Sequence, residues 1–290
     1  VKKYIFIFLA FCITLNQLES PRDLSPFGFT IDPLDNMPII RAMPDRFGYA
    51  PLEQRGKEYV KFLSPSVKIS VGQSSGSGTI IYYEPEKNLA YVASCGHLWK
   101  KGTMSEESCK NKKMKCEITI FYKNENKLKT PITYTADVLF YTYSEKQDTS
   151  LVVFTPDWIP TYFPIAPIDY KYKIKSVHSC GCDHSGEVAH YSVKIKEVNN
   201  DVVTENNSPR PGRSGGGLFD DNGYYIGTCW GTEYVDGSGL GYFTSLYNIH
   251  NFWAKQKGYS FLLEPQAKTI KIIDRSGIKQ QYSPDYILMP

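Results

Sequence analysis

From Ser66 onward the chain is written in short runs separated by turn residues. Ser66-Val67-Lys68-Ile69-Ser70-Val71 alternates polar and apolar side chains, the period-two signature of a half-buried strand. Comparable runs follow at 79–83, 89–93, 118–122, 132–138, 151–154, 172–177, 191–198, 224–229 and 240–245. None approaches the roughly 20 apolar residues that a membrane helix needs. The 22 Gly and 18 Pro supply turns, and the 22 Tyr favour strands. Heptads and internal repeats are lacking, which excludes a coiled coil. Hydrophobic residues make up 41% of the 290, enough for a core and too many for a disordered chain. The expectation is an all-β sandwich or barrel. A single helix is expected near residues 246–255, where apolar residues recur at helical spacing and Gly258 can close the last turn.

The two ends read differently. Lys2 and Lys3 precede an apolar run from Tyr4 to Leu15, the layout of a secretory signal peptide over 1–20. The expected location is therefore secreted or periplasmic, with no stable membrane span. Phe11, in place of a small residue before Cys12, disfavours a lipid anchor. Residues 21–65 are punctuated by Pro21, Pro26, Pro33, Pro38, Pro44 and Pro51, and read as an extended arm or propeptide. Residues 66–258 form the expected domain, followed by a tail over 259–290 with a strand-like stretch at 268–273. A formal net charge of +3 is too mild for a nucleic-acid partner. The lysine-rich 110–115 reads as a solvated tip between Cys109 and Cys116, which could pair with each other. Nothing in the sequence sets the oligomeric state.

Three stretches carry chemistry together. Ala93-Ser94-Cys95-Gly96-His97 follows an apolar strand. Asp148-Thr149-Ser150 opens another. Gly212-Arg213-Ser214-Gly215-Gly216-Gly217 precedes a third. Each is unremarkable alone. A serine hydroxyl is a weak nucleophile and needs a base within reach. The base is normally an imidazole oriented by a buried carboxylate, and the developing oxyanion needs fixed N–H donors. The chain offers His, Asp and Gly-x-Ser-Gly-Gly in that order, which among the known arrangements of this triad is the chymotrypsin order. Asp137 also lies between His97 and Ser214 and is a rival for the acid. The apolar run directly after Asp148 favours it, whereas Asp137 is expected on an exposed strand edge.

On these residues the chain resembles the chymotrypsin-fold (trypsin-like) serine proteases, and is nearest in style to the bacterial glutamyl-endopeptidase branch. The likeness runs from about Ser66 to Lys257. The stretch from Ser77 to Ile81 resembles the strand before the histidine loop, and the stretch from Tyr225 to Gly231 the strand beside the specificity pocket. The resemblance implies two antiparallel six-stranded β-barrels with a C-terminal helix. It implies His97 as general base and acid, Asp148 as its orienting partner and Ser214 as nucleophile, with the backbone N–H groups of Gly212 and Ser214 as the oxyanion hole. It places substrate contacts at Ser208, Thr228, Cys229, Trp230, Gly231 and Gly241. The implied activity is endopeptidase hydrolysis of a polypeptide through an acyl-enzyme, with neither cofactor nor metal. A catalytically silent binding module on the same scaffold is the alternative, and an esterase would use the same triad.

Several residues depart from the family pattern. Arg213 stands where trypsin relatives carry an Asp that receives a newly cut N-terminus, so that ion pair cannot form. Cys229 replaces a histidine shared by glutamyl endopeptidases, and no acid is obvious at the pocket base, near which Ser208 lies. Neither Glu nor Arg/Lys specificity follows, and a neutral P1 residue is expected. His178-Ser179-Cys180-Gly181-Cys182-Asp183-His184 offers possible zinc ligands without a settled set of four.

Overall fold

The computed structural model describes residues 59–264 apart from 100, 145–146, 173–175 and 236–237. The expected signal peptide, the arm up to residue 58 and the strand-like 268–273 lie outside the described residues. A helical turn, α1 (Val60–Leu63), leads into β1 (Ser66–Val71) and β2 (Ser74–Glu84). The alternation in β1 buries Val67 and Ile69 completely. A two-residue turn with Gly72 at φ +59° joins the hairpin and sets Val71 opposite Ser74, since only glycine takes such a φ without penalty.

β3 (Leu89–Ser94), the short β4 (Gly102–Met104), helix α2 (Glu106–Asn111), β5 (Lys115–Lys123), β6 (Asn126–Ser144) and β7 (Gln147–Phe154) complete the first half. The sheet order is β4-β6-β5-β1-β2-β3-β7, and β6 also pairs with β7. That pairing closes a six-stranded barrel, with β4 added outside the ring on β6. Register shifts at Ile80/Tyr82, Ile120/Tyr122 and Val138/Phe140 bend its strands, as closure requires.

The second half contains β8 (Ser176–Cys182), β9 (Val188–Val198), β10 (Asp201–Glu205), β11 (Gly217–Phe219), β12 (Tyr225–Val235) and β13 (Ser238–Ser245), and ends in α3 (Leu246–Trp253). These strands form a closed antiparallel barrel in the order β10-β13-β12-β11-β8-β9. The architecture is the all-β double barrel expected from the sequence, with its C-terminal helix. One apolar cluster joins Phe140 and Leu151 of the first barrel to Phe219, Tyr225 and Trp253. Among the described residues no helix is long and apolar enough to cross a membrane.

Buried residues also lie on either side of the expected 66–258. Phe62 and Leu63 fall within the segment read as an arm, yet both are buried. Phe62 stacks on His178 with centroids 3.9 Å apart and meets Phe163 edge-on. At the other end, Tyr259 and Leu262 of the expected tail are buried, and Tyr259 packs edge-on against Phe140. The suggested Cys109–Cys116 pair is not formed. All six described cysteines are buried and none is in a disulfide, and these two fill the core of the first barrel as small apolar side chains.

Phe62→Ala is expected to destabilise the protein by about 3–5 kcal/mol, because it empties a packed site. Chemical denaturation would measure it. An unchanged midpoint would show that residues 59–63 contribute nothing to the fold.

Candidate active site

Antiparallel pairing of β3 with β7 sets Ser94 opposite Ser150, so the loop leaving β3 passes over the start of β7. His97 lies on that loop and Asp148 at the start of that strand. Asp148 Oδ1 accepts the N–H groups of Gly96 (2.5 Å) and His97 (2.9 Å), while Oδ2 accepts His97 Nδ1–H at 2.6 Å. Three donors thus surround a carboxylate that is almost entirely buried. Gly96 is obligatory, because a Cβ there would lie 1.9 Å from the Thr142 carbonyl oxygen. Ser150 Oγ donates to Cys95 O, and Thr244 Oγ1 of the second barrel donates to Asp148 O.

This arrangement puts the imidazole proton on Nδ1 and leaves Nε2 as the basic nitrogen. Nε2 lies 3.6 Å from Cys95 Sγ. Burial alone disfavours the imidazolium. Cys95 Sγ in its ionised form and the Asp148 carboxylate outweigh it and hold His97 well above the ordinary histidine value. Burial pushes the Cys95 thiol up in turn. Asp137 makes no contact with His97 among the described residues. It is exposed and ion-paired to Lys115 at 3.2 Å, and it sits mid-sheet between β5 and β7, not on the edge expected for it.

Ser214 approaches from the second barrel. Gly215 N–H donates to Cys229 O, and Cys229 N–H to Gly216 O, which stitches the glycine-rich loop to β12. Ser214 O accepts Ser77 N–H of β2 at 2.7 Å. Gly215 has φ +87°, and a Cβ there would fall 2.1 Å from Ser77 O and 3.1 Å from Cys95 N. Gly215 is therefore wedged between β2 and the histidine loop, and the adjoining Ser214 is partly exposed. No hydrogen bond joins Ser214 Oγ to His97 among the described residues.

The N–H groups of Gly212 and Ser214 have no protein acceptor among the described residues. Their direction follows from the planar trans peptide, in which N–H and the preceding C=O point opposite ways. Pro211 O is held by His184 N–H at 2.5 Å, and Arg213 O by Gly216 N–H at 2.8 Å. Both N–H groups consequently face away from those anchors. Arg213 itself is buried, with Nε donating to Asp183 Oδ1 at 2.9 Å. Its Nη2 lies 2.8 Å from the same oxygen, as a contact of charge without hydrogen-bond direction.

The residues expected to meet substrate divide into two groups. Thr228 and Cys229 are buried, and the backbone of Cys229 is tied to the glycine loop, so these two hold the site and do not line an open surface. Trp230 sits at the register shift between Cys229 and Gly231, donates Nε1–H to Asp201 and packs on Tyr242. Beside it, Gly231 has open space where a Cβ would stand. Ser208 packs against Gly239, and Pro209 against Gly241, with no charged side chain among these four. The stretch at Ser77 is legible in the sequence as the strand before the histidine loop, but its contacts with Gly212 and Ser214 carry no signal there. Among the described residues the one group of three able to hold a metal is Cys95, His97 and Asp148, and both Asp148 oxygens there already accept N–H donors. Cys180 and Cys182 are outside that group.

The sequence matches no known family model and no curated protein. Solved structures share the fold. The serine endoprotease from Yersinia pestis matches with a TM-score of 0.50 and 13% identity over 71% of this chain, which spans 65% of that enzyme. The Rv3671c protease in its inactive form matches with a TM-score of 0.49 and 17% identity, over 69% of this chain and 93% of that one. The architecture is chymotrypsin-like.

The His97 imidazole, followed by NMR across a pH series, is expected to titrate above the ordinary histidine range. Asp148→Asn should bring it down. An ordinary value, or one indifferent to Asp148→Asn, would contradict the pairing.

Proposed function

We propose that the chain is an exported serine endopeptidase that cleaves polypeptides through His97, Asp148 and Ser214. The observation that carries the reading is the buried Asp148 carboxylate bound to His97 Nδ1 at 2.6 Å, with the Ser214 loop wedged against the same histidine loop. Export rests on Lys2, Lys3 and the apolar run after them.

The chemistry follows from these groups. Ser214 Oγ attacks the substrate carbonyl carbon as its proton passes to His97 Nε2. Asp148 stabilises the imidazolium without taking the proton. The tetrahedral oxygen carries the negative charge between the N–H groups of Gly212 and Ser214. Collapse breaks the C–N bond, and Nε2 returns the proton to the leaving amine. Water then enters by the same steps in reverse and releases the acid. Nε2 must first turn from Cys95 Sγ toward Ser214 Oγ. Catalytic hydrogen bonds are often long before substrate binds, so the missing bond does not argue against the assignment.

An extended peptide would lie along the bulged Trp230 and Gly231 by strand addition. Ser208, Pro209, Gly239 and Gly241 support a neutral P1 residue. The contact of Nε2 with Cys95 is the one observation favouring a silent binding module.

Ser214→Ala is expected to abolish hydrolysis of a peptide library while leaving the melting temperature in place. Library profiling of the parent should return neutral P1 residues. Unchanged turnover by Ser214→Ala would sink the assignment, and a preference for Glu, Arg or Lys at P1 would overturn the pocket reading.

A further inference from the structure

We propose that Asp183 is a positioning residue for the oxyanion hole: with its neighbours Cys182 and His184, and with Ser77 of the first barrel as a bridge, it holds the nucleophile loop in working shape without a newly cut N-terminus. The proposal rests on the reading of Ser214 as nucleophile.

Three consecutive residues grip three others. His184 N–H holds Pro211 O at 2.5 Å, which aims the Gly212 N–H the opposite way. Cys182 N–H donates to Ser77 Oγ at 2.7 Å, and Ser77 Oγ donates to Gly212 O at 2.8 Å. Between them, the Asp183 carboxylate receives Arg213 Nε–H at 2.9 Å. The grip therefore covers residues 211 to 213, the peptides that lead directly into Ser214.

The middle contact is a buried ion pair with secondary support. Arg213 is 1% exposed. Its Nη1 reaches the Ser179 carbonyl and hydroxyl oxygens at 3.3 Å, and its guanidinium lies 3.9 Å from the centroid of the Tyr191 ring. Tyr191 OH donates to the other oxygen of Asp183. His184 has φ +49°, an uncommon left-handed backbone for a side-chain-bearing residue, which the surrounding contacts must maintain. The glycine of Cys180-Gly181-Cys182 also finds a reason here. A Cβ on Gly181 would lie 2.9 Å from Ser77 Oγ and 3.0 Å from Arg213 Cγ. A motif that reads as a metal candidate in sequence thus makes room for the arginine stem.

Chemically, a buried guanidinium needs a fixed anion, and that anion belongs to the same short segment that orients Pro211. Loss of the carboxylate frees Arg213 and loosens the peptides on either side of it. The transition state then loses N–H donors while the ground-state peptide, bound along Trp230 and Gly231, is unaffected.

The test is steady-state kinetics on a peptide substrate with the full chain, the parent beside Asp183→Asn. Removal of an oxyanion donor lowers kcat by about a hundredfold or more, and that loss is expected here with KM within about threefold. Affinity for a peptide aldehyde, which mimics the tetrahedral state, should fall with kcat. Asp183→Glu, which keeps the charge, should recover at least about tenfold of the loss. A folded Asp183→Asn with kcat within about threefold of the parent, or with a raised KM alone, would overturn the proposal. Should Asp183→Asn fail to fold, Ser77→Ala removes only the hydroxyl bridge to Gly212. It should lower kcat at constant KM, and unaltered kinetics there would overturn the proposal equally. A parent that neither turns over peptide nor reacts at Ser214 would instead bring down the endopeptidase reading itself.

Discussion

A carboxylate removed from water is tolerated only where donors replace its hydration, and Asp148 has three. Two are backbone N–H groups of the histidine loop and the third is the imidazole itself. The anion therefore shapes the loop and orients the ring at once. It can do so because β3 and β7 pair in a register that brings Ser94 opposite Ser150. A slip of one residue would reverse the faces and carry the carboxylate away from the ring. The close approach also explains why Gly96 admits no side chain.

The second barrel reaches this arrangement through β2. Ser77 binds Ser214 O through its N–H and Gly212 O through its hydroxyl, while its carbonyl accepts Ser94 Oγ. One residue of the first barrel thus touches the glycine loop twice and the strand that leads to His97 once. Thr244 of β13 returns the connection by binding Asp148 O, and Trp253 of α3 donates to Thr149 Oγ1 beside it. The two barrels are joined around the site by directed polar contacts as well as by the shared apolar cluster, which fixes how they meet more narrowly than apolar packing alone.

Much of this was legible in the residues. The period-two run at Ser66–Val71 became β1 with Val67 and Ile69 buried and the intervening Lys68 and Ser70 only half-buried, the condition under which alternation is informative. β6 was visible only over 132–138, since its leading half is largely exposed and carries no apolar period. β4 and β11, three residues each, are too short to show any period, and β10 lacks alternation because three successive residues are buried. Helix α1 hid in a proline-rich context and is set by the packing of Phe62. Asp148 stands beside His97, and Asp137 faces solvent. The apolar run after Asp148 marks a strand entering the core, which is where a partner carboxylate for an imidazole must sit. The contacts of Asp183 with Arg213 and of Ser77 with Gly212 span 30 and 135 residues, and no local pattern encodes them.

The proposed endopeptidase activity requires Ser214 to be an activated nucleophile within reach of His97. Reaction with a fluorophosphonate, followed by peptide mapping, tests it most directly, because that reagent requires both the nucleophile and the base. The expected result is a label on Ser214 in the parent that is lost in His97→Ala. A label elsewhere, or none on Ser214 in the full chain and in a chain starting at Tyr59, would contradict it.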